Sequence, residues 1–402
     1  MQRWRPIAPY FAAFLGLGVA LSFFGPALPE LRRQTGSSVA QMGWVFSAQS
    51  VGGLVGSLIA GRLYRHVGGR HLIALAVFGF ALAIAVVPAS SELIVIVAAG
   101  AVIGFGAGSL DVGGNTLVSS VVDPDRLVSS INALHMSFAV GAVLAPLVVG
   151  VSLAVSDSLW PAGAAFSGAA LALAAVLWSG DRAGSARQAA RDHAEQGAGP
   201  DRWRLGLVAW FFLLYVGIEI GFSGWIATYS HEVGLGSGWG TGLTVAFWAG
   251  FLAGRVLMVW RGDRIATGAV LGWSAIISTV VAVVIALVGA RPIPLTLGAA
   301  LFGVVIAPQF PTMLAHLHRA IPLTGVVTAW CMAGSALGGL VLPPLIGALL
   351  ESTGASALPW TIGAASAASG LAIVAVNRWA LALPAVEQAR NLSPGSAHAP
   401  RP

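Results

Sequence analysis

Gly100-Ala-Val-Ile-Gly104-Phe-Gly106-Ala-Gly108-Ser-Leu-Asp111-Val-Gly113-Gly114-Asn115-Thr116-Leu-Val-Ser119-Ser120 decides how this chain is to be read. The stretch is too apolar for a soluble surface and long enough to cross a bilayer, yet it carries a carboxylate near its middle. A charge at that depth costs about 2.5–3.5 kcal/mol on insertion scales, so Asp111 is expected to face a protein interior or a water-filled cavity. Asn115, four residues on, shares its helix face. Gly100, Gly104 and Gly108 form a small-residue ladder that lets a neighbouring helix approach closely. A packed helix that aims a carboxylate and an amide into a cavity has the makings of a solute pathway.

The rest of the chain supplies the neighbours. Of 402 residues, 57% are hydrophobic and only 9% charged, against about 25% charged in soluble domains; the mean hydropathy is +0.84. A dozen apolar runs match the ~30 Å hydrocarbon thickness: roughly 7–28, 41–60, 71–88, 93–121, 129–155, 161–179, 205–228, 240–260, 265–289, 295–315, 326–350 and 360–383. Backbone groups in lipid must be satisfied internally, so these runs are expected to be helices; none shows the short alternation of barrel strands.

The net charge of +6 does not point to nucleic acid. All 21 basic residues are Arg, and placing both termini inside puts 18 of them at cytoplasmic helix ends, leaving Arg32, Arg33 and Arg291 outside. Such a bias orients a polytopic protein, here a multi-pass protein of the cell membrane. The basic start before the first apolar run reads as a first span rather than a secretory signal, because the run is long for a signal core. The single Cys331 lies in an expected helix, so no disulfide framework arises.

Six spans precede the most polar stretch of the chain and six follow it. We expect a first bundle over 1–179, a cytoplasmic linker over 180–204, a second bundle over 205–383 and a cytoplasmic tail over 384–402. The halves echo each other. Gly141-Ala-Val-Leu-Ala-Pro146-Leu-Val-Val-Gly150 recurs as Gly338-Gly-Leu-Val-Leu-Pro343-Pro344-Leu-Ile-Gly347 at an offset of 197, and Ala60-Gly61-Arg62 recurs as Ala253-Gly254-Arg255 at an offset of 193. Two parallel six-helix bundles suit a rocking transporter with a midplane site.

The polar residues at membrane depth are few. Asn132 and His135 share a face of the fifth span, and with Asp111 and Asn115 one helix away they suggest a shared pocket. An Asp–His arrangement can carry a coupling proton; the same Asp can instead help coordinate Na⁺. In the seventh span Glu219 is the second intramembrane carboxylate, with Tyr215 and Ser223 on its face. Trp225 fits either an interface belt or a ring on which a sugar stacks. In the tenth span Ala307-Pro308-Gln309-Phe310-Pro311-Thr312 marks a broken helix, offering Gln309 and Thr312 to a polar solute. Pro26 and Pro29 are expected to bend or end the first span. The basic residues Arg62, Arg65 and Arg70, with Arg255 in the second half, are candidates for a cytoplasmic gating loop. No metal-ligand cluster, phosphate-binding loop or nucleophile elbow is present, so an enzyme is not expected.

Several segments resemble a known family: Leu110-Asp111-Val-Gly-Gly-Asn115, Asn132-Ala-Leu-His135-Met-Ser-Phe-Ala-Val-Gly141, Tyr215-Val-Gly-Ile-Glu219-Ile-Gly-Phe-Ser-Gly-Trp225-Ile and Pro308-Gln-Phe-Pro311-Thr312. The resemblance, from the first span to the twelfth, is to the major facilitator superfamily, and within it to the fucose–galactose–glucose permease group, particularly its sodium-dependent glucose transporter branch. It implies an all-α fold of twelve transmembrane helices in two pseudo-symmetric six-helix bundles, and a symporter of sugar-like solutes in which Asp111 matches the group's fourth-span acid. It implies a small-molecule solute and the lipid bilayer as partners, a monomer, and no cofactor beyond a coupling H⁺ or Na⁺. Two departures stand out: Phe24-Gly25 where fucose permeases carry a first-span Asp, and Arg65 where the superfamily's second loop carries an Asp. The first weakens a two-carboxylate proton mechanism, and relatives at this distance include exporters, so a proton-coupled drug or metabolite efflux carrier stands as the alternative.

Overall fold

The computed structural model of the chain describes residues 8–121, 124–179, 201–261, 265–321 and 325–381, and for 61, 64, 65, 114–121, 124–133, 237, 261, 319, 320, 325 and 379–381 among these it describes the backbone alone. Among the described residues the secondary structure is helical, with no strand. The first half comprises α1 (Ala8–Ser22), α2 (Phe24–Thr35), α3 (Val39–Val67), α4 (Gly69–Val86), α5 (Leu93–Val121), α6 (Pro124–Ser156) and α7 (Trp160–Trp178). The second comprises α8 (Arg202–Glu232), α9 (Ser237–Arg261), α10 (Thr267–Val288), α11 (Pro292–Ile306), α12 (Gln309–Ala320), α13 (Gly325–Thr353) and α14 (Ala357–Leu381). Among the described residues, eleven spans are long and apolar enough to cross a membrane, or twelve with the bent pair α1 and α2. Helix α8 begins at Arg202, so residues 202–204 belong to a helix rather than to the linker; the remainder of the linker up to residue 200, and the tail, lie outside the described residues.

Prolines set the breaks. The chain bends by 42° between α1 and α2, where Pro26 has no N–H for the Ser22 carbonyl four residues back and its ring crowds that carbonyl. The tenth span divides into α11 and α12 at Ala307-Pro308, and Pro308 likewise frees the Val304 carbonyl. In α13 the pair Pro343-Pro344 stays inside the helix, and one of the two carbonyls it frees finds a partner in the other half. Pro344 frees the carbonyl of Leu340, which accepts a hydrogen bond from Ser47 Oγ of α3 at 3.0 Å. The Pro343 carbonyl accepts from Trp225 Nε1 of α8 at 2.8 Å.

Within each half the closest helix pairs meet backbone to backbone, as expected where small residues rather than hydrophobic surface drive association in lipid. A Cβ added at Gly104 of α5 would collide with the Gln49 carbonyl of α3, and one at Gly108 with the Gly53 carbonyl; at Gly100 it would lie 2.9 Å from the Val45 carbonyl. The ladder of the opening stretch therefore faces α3. The second half repeats this contact: Gly303 of α11 meets the Phe247 carbonyl of α9, as Gly104 meets that of Gln49. In the same way Gly52 against Ala101 is echoed by Gly250 against Ala300, Gly56 against Phe105 by Gly254 against Val304, and Gly141 against Leu15 by Gly338 against Leu213. These pairs are offset by 197 to 199 residues. They confirm the offset of 197 between Gly141 and Gly338 and correct the 193 offset of the second sequence match. Gly254 is the counterpart of Gly56, not of Gly61, so Arg255 corresponds to Ser57 and lies about one helical turn deeper than Arg62.

The halves meet through α3 with α13, α6 with α9, and α2 with α8. Their ties gather at the end of the molecule that carries Arg32 and Arg33. Arg32 pairs with Glu232 at 3.0 Å, and the Ala40 N–H in the first turn of α3 donates to Glu351 Oε2 of α13 at 2.8 Å. A Cβ on Gly25 would lie 2.7 Å from the Ser223 carbonyl, and one on Gly43 2.7 Å from Pro344 Cα. The start of α3 has its own capping box, with Ser38 N–H donating to Gln41 Oε1 at 2.8 Å and Gln41 N–H to Ser38 Oγ at 3.3 Å; Glu351 adds a carboxylate to that helix N-terminus from the opposite half. The exposed ion pair contributes little by itself, whereas the Ser47–Leu340 bond satisfies a carbonyl that its own helix cannot. Ser47→Ala is expected to loosen this end by about 1 kcal/mol, roughly a five-fold shift toward separation. Distances between spin labels on α2 and at the end of α13 would show it as a longer component.

Candidate functional site

A cavity of about 600 Å³ lies between the two halves, lined by α1, α2, α3, α5, α6, α8, α9, α12 and α13. Its closed end is built by Gly25, Phe46 and Gly224, where the halves touch. Gly25 belongs to the Phe24-Gly25 stretch that lacks the acid, and the Ser223 backbone lies directly against it. The closed end is made by the Phe46 ring against Gly224 and by the Ser223 backbone against Gly25, and the latter leaves no space for a carboxylate at Gly25.

Asp111 of α5, His135 of α6 and Glu219 of α8 all line this cavity. Each reaches it because glycine lets its helix in. Gly108, one turn before Asp111, seats α5 on α3, and Gly141 beyond His135 seats α6 on α1. His135 packs edge-on against Phe14, ring centroids 5.8 Å apart. Tyr215 and Glu219, one turn apart on α8, line the cavity side by side. Arg255 also lines the cavity. Its guanidinium sits 5.2 Å from the Phe251 ring centroid.

The other expected site residues are placed differently. Trp225 is 1% exposed, hydrogen-bonded to Pro343 and edge-on to Phe46 at 5.9 Å, so it belongs to the packing between halves rather than to the cavity wall. Gln309 and Thr312 are buried behind Phe310 and Pro311, which do form that wall. The side chains of Asn115, Asn132 and Arg65 lie outside the described residues. Arg62 is exposed. Arg70 donates from Nε to the Leu177 carbonyl at 2.8 Å and from Nη2 to that of Val176 at 3.0 Å, closing the C-terminal end of α7 within its own half. Among the gating candidates whose side chains are described, Arg255 alone lines the cavity, because its register makes it the counterpart of Ser57. Sequence reasoning missed Ser22, Gln49 and the aromatic faces of Phe46, Phe138 and Trp248 as wall residues; none is charged, and nothing in an apolar run separates a cavity face from a lipid face.

The pseudo-symmetry shows how the wall is made polar. At the offsets fixed by the glycine contacts, Tyr215 corresponds to Leu17, Glu219 to Leu21, Asp111 to Phe310, His135 to Met332 and Arg255 to Ser57, and all ten line the cavity. At four of the five pairs one half supplies a titratable group and the other an apolar one. The frame is two-fold, but the chemistry is not.

The chain's residues 10–251 match the family model of the Major Facilitator Superfamily. The chain belongs to the major facilitator superfamily. Among the similar members, the sodium-dependent glucose transporter 1A of Mus musculus is 27% identical over 376 residues, covering 84% of this chain and 88% of its own length. The sodium-dependent glucose transporter 1 of Xenopus laevis is 26% identical over 359 residues, covering 82% and 73%. Among solved structures, the E. coli fucose:proton symporter superposes over 94% of this chain and 99% of its own, with a TM-score of 0.62 at 17% identity. A bacterial homologue of the human lysosomal transporter Spinster superposes over 97% and 98%, with a TM-score of 0.65 at 14% identity. The fold is that of the superfamily, and these relatives are transporters rather than enzymes.

Proposed function

We propose that this major facilitator protein is a secondary carrier that moves a sugar or sugar-like polar solute by alternating access, coupled to H⁺ or Na⁺. The observation that carries the proposal is the joint cavity, to which Asp111 and His135 come from one half and Glu219, Tyr215 and Arg255 from the other. Its volume falls within the roughly 300–1,000 Å³ of small-molecule sites. Support for the solute class comes from full-length relatives named as sodium-dependent glucose transporters and a fold neighbour named as a fucose:proton symporter. In this scheme the coupling ion loads at Asp111 beside His135, and the solute spans to Glu219. The bodies 1–179 and 205–383 rock about the cavity. The arginine-rich helix ends and both termini face the cytoplasm, so the closed end faces outward.

A ligand that binds the native state raises its apparent stability, by about 2.7 kcal/mol at a hundred times its Kd. Purified protein is therefore expected to melt higher with a monosaccharide or polyol than without, and the shift is expected to depend on pH or on Na⁺, according to the coupling ion. A thermal-shift screen of monosaccharides, polyols and common drugs, at two pH values with and without Na⁺, checks this. Stabilisation by lipophilic drugs and by no sugar or polyol would instead assign the efflux alternative, for which the aromatic walls of Phe14, Phe138 and Trp248 are suited.

A further inference from the structure

The cavity has two chemically different sides. Helix α9 packs between α6 and α11, and α3 packs between α5 and α13, while α1 and α8 stand between these two groups. The side that runs from α6 through α9 to α12 is aromatic, with Phe138, Trp248, Phe251 and Phe310. The facing side, from α5 through α3 to α13, is made of small residues, among them Gly53, Gly104, Gly108, Ser57 and Ser335. Its glycines are there because α3 and α5 meet backbone to backbone. Asp111 on α5 and Glu219 on α8 add carboxyl groups to this side and to the gap between the two. A site of this kind, apolar on one side with a few polar groups elsewhere, fixes the orientation of what it binds.

The aromatic side is braced from behind. Trp248 and Phe251 are buried, at 4% and 1% exposure, and stand edge-on to each other with centroids 5.3 Å apart. Phe138 and Phe310, one from each half, are only partly buried and keep surface open to the cavity. Phe138 packs edge-on against Trp248 at 6.0 Å. Phe310 packs edge-on against the fully buried Phe212 at 4.9 Å and lies 5.8 Å from Tyr215. The proline break of the tenth span buries Gln309 and Thr312 on either side of it and leaves Phe310 on the wall. The face of an aromatic ring is electron-rich and attracts the positive edge of a C–H group. A pyranose with equatorial hydroxyls presents axial C–H groups on its faces and its hydroxyls around the rim. An open-chain polyol carries the same hydroxyls but has no such face.

We propose that Phe138 and Phe310 are stacking platforms for the C–H face of a pyranose, so that this carrier selects ring-form sugars over open-chain polyols. This rests on the function proposed above and narrows its solute from any sugar-like molecule to a cyclic one. The test uses the full-length protein with Phe138→Leu and Phe310→Leu, which remove the ring face, and with Phe138→Tyr and Phe310→Tyr, which keep it. D-glucose with D-sorbitol, and D-xylose with xylitol, serve as matched pairs of ring and open chain, read by ligand-induced melting shift and by equilibrium binding. The leucine variants are expected to melt lower without ligand, because leucine fills the site less well than phenylalanine, so the readout is the ratio of affinities within each pair. In the leucine variants the sugars should bind roughly five- to ten-fold more weakly and the polyols as in the wild type; in the tyrosine variants the preference for the ring should persist. A residue that merely supports the fold would weaken sugar and polyol by the same factor. That result overturns the proposal, as does an unchanged preference in both leucine variants. Failure of the wild type to bind any sugar or polyol would instead overturn the sugar-carrier function itself.

Discussion

Asp111→Asn is expected to abolish uphill transport while sparing the fold. In proteoliposomes carrying the coupling gradient, the accumulation ratio should fall from many-fold to about one, because a carrier whose solute binding is no longer linked to an ion can only equilibrate. Counterflow of solute, which needs no gradient, should persist. The expectation follows from the asymmetry of the wall. At the corresponding position the second half has Phe310, and at the position corresponding to Glu219 the first half has Leu21, so no symmetry-related acid stands ready to take over. The substitution keeps size and polarity and removes only the ionisable group, so the helix seat on Gly53 and Gln49 is untouched. Full gradient-driven accumulation by Asp111→Asn would show that coupling resides elsewhere, with Glu219 the next residue to exchange.

The largest loss of stability is expected from Gly104→Leu. Overpacking a core by a few methylenes costs about 1–3 kcal/mol when side chains can yield, but here the obstacle is the Gln49 carbonyl in the backbone of α3. Two helices would have to separate along the seam that carries Asp111 and Gln49 into the cavity. Gly104→Leu should therefore give little or no monodisperse protein on size-exclusion chromatography, Gly104→Ala a clear drop in melting temperature, and Gly303→Ala, at the corresponding seam of α9 and α11, a similar drop. Gly16→Ala and Gly168→Ala, where an added Cβ meets nothing within 4 Å, should leave melting unchanged or raise it slightly, since alanine favours the helix. Equal losses at all these positions would mean that helix propensity rather than close approach sets the effect.

The opening stretch already contained most of the first half's design. Gly100, Gly104 and Gly108 at four-residue spacing identified a close helix contact, and Asp111 on the same helix identified a wall of something other than lipid. That α3 is the partner, and that the wall belongs to a cavity shared with Glu219 on α8, came from the packing. The proline runs were equally readable as breaks: a missing N–H is a local fact, and Pro26 and Pro308 mark where the first and tenth spans divide. Where the freed carbonyls go is not local. Ser47, almost three hundred residues away in sequence, satisfies Leu340, and no spacing rule links the two.

Trp225 and Arg255 show the limit most clearly. A tryptophan six residues beyond Glu219 reads as an interface-belt aromatic or a ligand-stacking ring, yet its Nε1 is committed to the Pro343 carbonyl, and its ring fills the space that Gly347 leaves. Ala253-Gly254-Arg255 looks like a copy of Ala60-Gly61-Arg62, but the seam of Gly254 with Val304 matches that of Gly56 with Phe105. A shift of about one turn moves an arginine from a loop end into the cavity. Periodicity, insertion energy and proline chemistry act within one helix, so the sequence by itself determined the membrane class, the twelve spans, their breaks and the buried acids. Which faces meet depends on where two backbones can touch. Only the tertiary structure could therefore decide the register between the halves, the closed end, and which residues line the cavity.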